Sequence, residues 1–426
     1  MSDIDHPLRF SLTEELHARP SPRLTVPCHA VMVAFKEPRD AANRDRGADL
    51  AHLADLLARH GAPPPSPGAT HVTAQIGAYR LRWESYTEFV TYTAFADGLG
   101  VTAFDPNEAA VFPDDWIAAA PGKRIASVLV RVEPMPDNDA TIDARLSDWF
   151  NGEGLAAGRV NDDSAVVATD FRIDAAGHMR FAVFVRPGTG PGRVGRIVQR
   201  LLEIETYRVL SMLGLGRARG LSARLNALDP QVAQLIGRMD DESNPPEATL
   251  HALLATTTEL ESLAMEHSFR FGATPAYAAI VRERIDGLRE ARFAGRQTLN
   301  EFMQRRYEPA MRTVASAEGR LATMLTRSTR AGDLLRTRVD VERSRQNQAL
   351  LESMDRRADL QLRLQETVEG LSVVAISYYA VSLAGYILYP LAEPLGLSKG
   401  LLLAMVTPLV ILGVWLMVRR IKHKIH

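Results

Sequence analysis

The chain has 426 residues, 46% of them hydrophobic, and a formal net charge of -1 from 50 basic and 51 acidic side chains. That balance excludes the strongly basic field of a nucleic-acid-binding protein, and the apolar fraction excludes a mainly disordered chain. The single cysteine, Cys28, excludes a disulfide framework and a cysteine-cluster metal site, so the soluble part reads as cytoplasmic.

The N-terminus MSDIDHPLRF lacks a basic start followed by an apolar stretch, so no signal peptide is expected. The next residues, HPLRFSLTEELHARP, concentrate polar side chains around two prolines. His6, Arg9, Glu15, His17 and Arg19 are ligand-binding candidates, because imidazole beside carboxylate can hold a metal or move a proton. A solvated helix face accounts for the same residues.

From Val26 the pattern is α/β: CHAVMVAF as a strand, LAHLADLLARHG as a helix, APPPSPG as a loop. HVTAQIGAYRLRWES and TEFVTYTAF read as an antiparallel pair. Alternation in YRLRWE places Tyr79, Leu81 and Trp83 on one face and Arg80, Arg82 and Glu84 on the other. Arg82 and Glu84 join the ligand candidates. FDPNEAAVFPDDW groups Asp105, Glu108, Asp114 and Asp115 as oxygen ligands for a hard cation, although the spacing matches no defined loop. RIASVLVRVE is a further strand, ATIDARLSDWF a helix, and AVVATDFRI with HMRFAVFV a hairpin turning at Asp174 to Gly177.

A Gly-rich loop follows, with Gly190, Gly192 and Gly195 at G-x-G-x-x-G spacing ahead of a long helix. The strand before it belongs to an antiparallel hairpin, and Pro191 removes one amide, so a strand-to-helix connection explains the glycines better than a nucleotide. Beyond Gly195 nearly everything reads as helix, broken at Pro245 and Pro246 and again near Pro309. Interleaved Arg and Glu mark solvated faces. The stripe Leu321, Leu325, Leu335, Val339, Leu350, Met354 and Leu362 lies near heptad spacing and suits a bundle or oligomer axis.

Two apolar runs close the chain, Leu371 to Leu391 and Leu401 to Val418, each about the ~20 residues that span a hydrocarbon core. Arg419, Arg420, Lys422 and Lys424 flank the second run, so both termini are expected in the cytoplasm of a two-pass inner-membrane protein. On the first run, Glu369, Ser372, Tyr379, Ser382 and Tyr386 share an arc of roughly 140° and are candidates to line a pore. The second run is apolar all round apart from Thr407.

The expected fold is an α+β cytoplasmic domain (1–190), a long α-helical bundle or stalk (191–369) and a C-terminal two-helix transmembrane hairpin (370–426). QETVEGLSVVAISYYAVSLAG, from Gln365 to Gly385, resembles the first membrane helix of the CorA divalent-cation transporters. That likeness implies a pentameric pore and a divalent cation as cofactor, with no metal-ligand set assigned. Where that family continues with Gly-Met-Asn, this chain reads Tyr386, Ile387, Leu388.

Over its whole length the chain resembles a bacterial family of membrane-anchored proteins of unknown function. The likeness rests on HPLR at His6 to Arg9, ELHARP at Glu15 to Pro20, RWE at Arg82 to Glu84, TEF at Thr87 to Phe89, and RIVQRLLEIETYR at Arg196 to Arg208. The expected function is an oligomeric ion channel or transporter governed by its cytoplasmic domain, not an enzyme. The alternative is a non-conducting anchored binding or scaffold protein. Its partners are the lipid bilayer and further copies of itself, without nucleic acid.

Overall fold

The computed structural model describes residues 6, 8–10, 12–13, 19–39, 41–240, 245–392 and 398–425. Two compact units divide the chain: Met1–Ser243 with His251–Ala331, and Asn244–Leu250 with Gly332–His426.

The first unit is built on a nine-stranded sheet ordered β2-β3-β4-β1-β5-β8-β7-β6-β9. The strands are β1 (Cys28–Lys36), β2 (His71–Ile76), β3 (Tyr79–Ser85), β4 (Phe89–Asp97), β5 (Lys123–Pro134), β6 (Ala156–Val160), β7 (Ala165–Thr169), β8 (Met179–Val185) and β9 (Ala291–Arg292). Every pairing is antiparallel except β5 with β8. The central strand β1 is buried along its whole length, as a strand covered on both faces must be.

Helices α1 (Arg46–Arg59), α2 (Asp114–Ala118) and α3 (Asp139–Trp149) cover one face. The Asp45 carboxylate caps α1 by accepting from Gly47 N at 2.8 Å and Ala48 N at 3.2 Å. Leu53, Leu56 and Leu57, at helical spacing, are fully buried against the sheet, each stabilising the fold by about 1.5–3 kcal/mol. Trp116 of α2 stacks on His52 with ring centroids 4.0 Å apart.

The other face carries α4 (Pro191–Gly237), α5 (Pro246–Asp286) and α6 (Leu299–Arg306). Val194, Ile197, Val198 and Leu201 of α4, with Val281 of α5 and Leu299 of α6, are all fully buried there. Farther along, α4 and α5 pack with the start of α7 (Glu308–Ala392) around Leu225, Leu260, Phe271 and Leu321. An N-terminal strap, Arg19–Thr25, runs over the sheet on the α4 side. Its Leu24 is buried, and the Leu24 amide donates to Pro191 O at 3.1 Å.

The structure revises three details of the sequence pattern. HVTAQIGAYRLRWES is itself a hairpin, β2 and β3, folded at Gly77 with φ 56°, and TEFVTYTAF supplies the third strand β4. Helix α5 runs unbroken through Pro275, and the residues between Asp286 and Leu299 leave the helix to pair β9 with β6. The break near Pro309 is real: α6 ends before Tyr307, and Pro309 lies in the first turn of α7, where its missing amide costs nothing.

In the second unit α7 continues as a single helix, and α8 (Lys399–Ile425) returns along it. The two are long and apolar enough to cross a membrane, with mean hydropathies of 1.8 and 2.6 in their most apolar stretches. The heptad stripe divides: Leu321, Leu335 and Val339 are buried, whereas Leu350, Met354 and Leu362 are exposed on the continuing helix.

Gly195 is where α4 admits the strap, since a Cβ at that position would overlap the Pro22 carbonyl. Gly195→Ala should therefore lift the strap and lower stability by about 1–3 kcal/mol, as overpacking does. Hydrogen exchange should show the Leu24 amide losing protection in the variant, and unchanged protection would contradict this placement.

Candidate functional site

Alternation along β3 separates its charges from its hydrocarbon. Leu81 and Trp83 are buried in the core under α1, with Tyr79 packed beside them. Arg80, Arg82 and Glu84 face the strap. Arg80 Nη2 donates to Arg23 O at 2.8 Å, and Arg82 Nη1 donates to Pro20 O at 3.1 Å. Arg82 Nη2 also donates to Glu84 Oε1 at 2.7 Å. Arg19 brings a second cation to that carboxylate, its Nε 3.7 Å from Glu84 Oε1, while its guanidinium lies 5.3 Å from the Tyr86 ring centroid.

Behind these charges a small cavity, about 30 Å³, lies between β1, β3 and β4 and the first turns of α4. Its floor is apolar, from Met32, Phe89, Phe95 and Leu202, and its walls carry hydrogen-bonding groups. Thr91 and Thr93 are each 5% exposed, and their hydroxyls bond to no other group among the described residues. Gln199 donates from Nε2 to Glu203 Oε1 at 2.7 Å, yet its Oε1 is buried with no partner among those residues. Tyr86 stacks on Phe89 at 4.5 Å, and Tyr207 meets Phe89 edge-on at 6.0 Å. Burial, then Glu84 and Glu203, push the Tyr86 phenol well above its ordinary range, against the opposing pull of Arg19. Burial and the same two carboxylates push Tyr207 up to about 12. Both phenols are neutral at physiological pH.

A second charged cluster adjoins this wall. Glu88, fully buried ahead of β4, accepts from Arg270 Nη1 at 3.0 Å and from Arg270 Nη2, and from Tyr277 OH at 2.8 Å. Lys36 Nζ lies 3.3 Å away. Burial pushes the Glu88 carboxyl up, but Arg270, Tyr277 and Lys36 outweigh it and hold it below the ordinary carboxylate range. Tyr277 in turn packs on Tyr207, 5.5 Å between centroids, so the cluster supports the cavity wall.

The site is therefore assembled from Arg82, Glu84 and Tyr86, from Phe89, Thr91 and Thr93 of β4, and from the α4 turns Gln199 to Tyr207, with Arg19 and Pro20 of the strap against its charged groups. A family model matches residues 4–425, almost the whole chain. The chain belongs to the family described as Protein of unknown function (DUF3422). No curated protein matches it. Membership bears out the resemblance read from HPLR, ELHARP, RWE, TEF and RIVQRLLEIETYR; of these, RWE, TEF and RIVQRLLEIETYR contribute lining residues to one cavity, and Arg19 of ELHARP lies against Glu84 and Tyr86.

Of the ligand candidates, the structure brings Arg19, Arg82 and Glu84 together. His6 and Arg9 are exposed; His6 Nδ1 accepts from Leu8 N at 3.2 Å, and Arg9 lies 6.0 Å from the Phe10 ring centroid. Glu15 and His17 lie outside the described residues. The acidic loop does not converge: Asp105 caps a short 3-10 turn through Asn107 N at 2.9 Å, Glu108 is buried, and Asp115 pairs with Arg59 at 2.6 Å. No cluster of three metal-ligating side chains occurs among the described residues. The Gly-rich loop opens α4 with Gly190 as its cap and Pro191 in its first turn, and Gly195 admits the strap backbone. Sequence reasoning missed Thr91, Thr93, Gln199 and Glu203, although period-two alternation and i,i+4 spacing pair them in the sequence.

In the second unit, Gly385 lies against Leu403, whose Cδ2 would be 3.0 Å from an added Cβ, and Ser377 is buried. Ser372, Tyr379 and Tyr386 are exposed; Ser382 Oγ donates to Tyr378 O at 3.0 Å. Glu369 Oε1 accepts from Gln365 Nε2 at 3.4 Å. Tyr386 lies beneath Lys399, and Trp415 beneath Arg419 at 5.0 Å.

Glu88→Gln should leave the Arg270 and Lys36 charges unmatched and cost about 3–5 kcal/mol at pH 7, read as a lowered unfolding midpoint. Because the folded carboxyl sits below its ordinary value of 4.5, its contribution is complete above that value and disappears as the pH falls through the folded one. The stability gap between wild type and variant should shrink in acid; a pH-independent gap would contradict an ionised Glu88.

Proposed function

We propose that this is an oligomeric, non-enzymatic membrane protein that passes an ion between copies of its first hairpin helix, under the control of its α/β unit. One observation carries the reading. The residues of α7 that are buried or lie against α8, Ser377 and Gly385, sit far around the helix from the exposed hydroxyl arc of Ser372, Tyr379 and Tyr386. At 100° per residue Ser377 and Ser382 are separated by roughly 140°. A hairpin facing lipid on that arc would leave phenols and hydroxyls in hydrocarbon, whereas other copies of the helix would give them partners.

In this reading Glu369 stands at the cytoplasmic mouth, both termini are cytoplasmic, and the bilayer is the inner membrane. The scaffold is similar to that of the CorA transporters, with a divalent cation as the ion to try first. The entrance differs, because Tyr386, Ile387 and Leu388 stand where that family carries its Gly-Met-Asn signature, with Lys399 over the Tyr386 ring.

A specific observation favours the second reading, a non-conducting anchored binding protein: the arc offers two large tyrosine rings, Tyr379 and Tyr386, and Glu369 as its only acid. Phenols can join helices without leaving a passage. The two readings separate in liposomes. A pore requires an oligomer in detergent and cation flux, and Ser382→Leu should reduce that flux about tenfold or more. An oligomer silent across a panel of monovalent and divalent ions would leave the anchor.

A further inference from the structure

The cavity beneath the strap holds more acceptor capacity than its own residues use. The Gln199 amide oxygen is buried without a partner among the described residues, and the buried residues Thr91 and Thr93 line the same cavity. Buried groups of this kind ordinarily find a partner in protein, water or ligand. The walls add π faces from Tyr86, Phe89 and Tyr207. Glu84 of β3 and Glu203 of α4 both line the cavity, the first paired with Arg82 and Arg19 and the second with Arg284.

Aromatic faces, carboxylates and an unfilled acceptor together match a positively charged group carrying several N–H donors. The chain already places one such group at the entrance. The Arg19 guanidinium lies on Tyr86 and beside Glu84, with its side chain 30% exposed. We propose that the cavity is a binding site for a small organic cation, a guanidinium or primary alkylammonium group, and that Arg19 of the strap is its built-in competitor.

The size of the cavity, about 30 Å³, is more than one water requires and less than a whole ligand, so entry accompanies a shift of the groups at its edge, Arg19 among them. The anchoring of the strap permits this. Leu24 is buried and bonded to Pro191 O, and Pro22 is seated on Gly195, whereas Arg19 and Pro20 meet the side chains of Glu84 and Arg82 on β3. A cation that takes the place of the Arg19 guanidinium displaces that side chain from Glu84 while Leu24 stays fixed. The position of the Arg19 side chain then reports occupancy.

The proposal rests on the α/β unit being the ligand-sensing half, and its test needs no ion flux. Full-length protein in detergent is titrated calorimetrically with methylguanidinium chloride, with the uncharged isostere N-methylurea as control and ionic strength matched by sodium chloride. Arg19→Ala should bind methylguanidinium about tenfold more tightly than wild type, the equivalent of about 1.4 kcal/mol. N-methylurea should bind neither protein. In the Arg19→Ala background, Glu84→Gln should abolish binding and Thr93→Val should weaken it severalfold; the second variant keeps the test decisive if the first does not fold. Absence of binding in Arg19→Ala, affinity equal to wild type, equal binding of N-methylurea, or full retention in the variant that folds would each overturn the assignment. Binding without flux would instead overturn the pore and leave the cation site standing.

Discussion

A carboxylate with no exposure to water governs the geometry of the α/β unit. Glu88 would cost several kcal/mol if left alone in the interior, and it is tolerable only because Arg270, Tyr277 and Lys36 converge on it. Arg270 and Tyr277 belong to α5, while Lys36 and Glu88 lie at the facing ends of β1 and β4. The charge cluster thus fixes where α5 lies over the sheet. From there the order passes through ring contacts: Tyr277 against Tyr207, and Tyr207 against Phe89. The polar cavity is held by the same packing that satisfies the carboxylate.

Covering a sheet face that carries charge poses a different problem from covering an apolar one. Over β1 and β5 the α4 side is filled by Val194, Ile197, Val198 and Leu201. Over β3 it is Arg80, Arg82 and Glu84 that need partners, and a helix, whose own carbonyls are already bonded, supplies few. An extended strap has free carbonyls, and Pro20 O and Arg23 O receive the guanidiniums. Close approach of that strap to α4 then requires glycine at Gly195. A residue whose spacing resembles a phosphate loop is explained by contact with the chain itself.

Local patterns were legible in the sequence because they depend on neighbours. The β1 and β5 runs, the period-two division of Tyr79 to Glu84, the turn before His178 and the proline stops all follow from residues within a few positions. The misreadings have the same origin. Gly77 looked like one position in a continuous strand because its positive φ is not written in the letter, and β9 is only two residues long, defined by its partner β6. The site was half legible. Arg82 and Glu84 declare themselves on an alternating strand, but Arg82 meets Pro20 across 62 residues and Glu88 meets Arg270 across 182. No periodicity encodes contacts at that range.

The hairpin presents the sheet's problem in another solvent. On the β3 face the unmatched polar groups could be satisfied within one chain, since a strap was at hand to meet them. On α7 Gly385 spends its close approach on α8, an apolar helix whose Thr407 already bonds its own backbone at Leu403 O. Among the described residues the hairpin gives Tyr386 a ring contact with Lys399 but neither Tyr379 nor Tyr386 a hydrogen bond. In water such exposed phenols need no explanation; in hydrocarbon the lack of competing water raises the cost of leaving them unpaired and favours a partner with the same arc. If these helices lie in a bilayer, the surface that the single chain leaves open is the one through which copies would meet. Leu350, Met354 and Leu362, exposed on the same helix before it becomes apolar, extend the argument beyond the membrane.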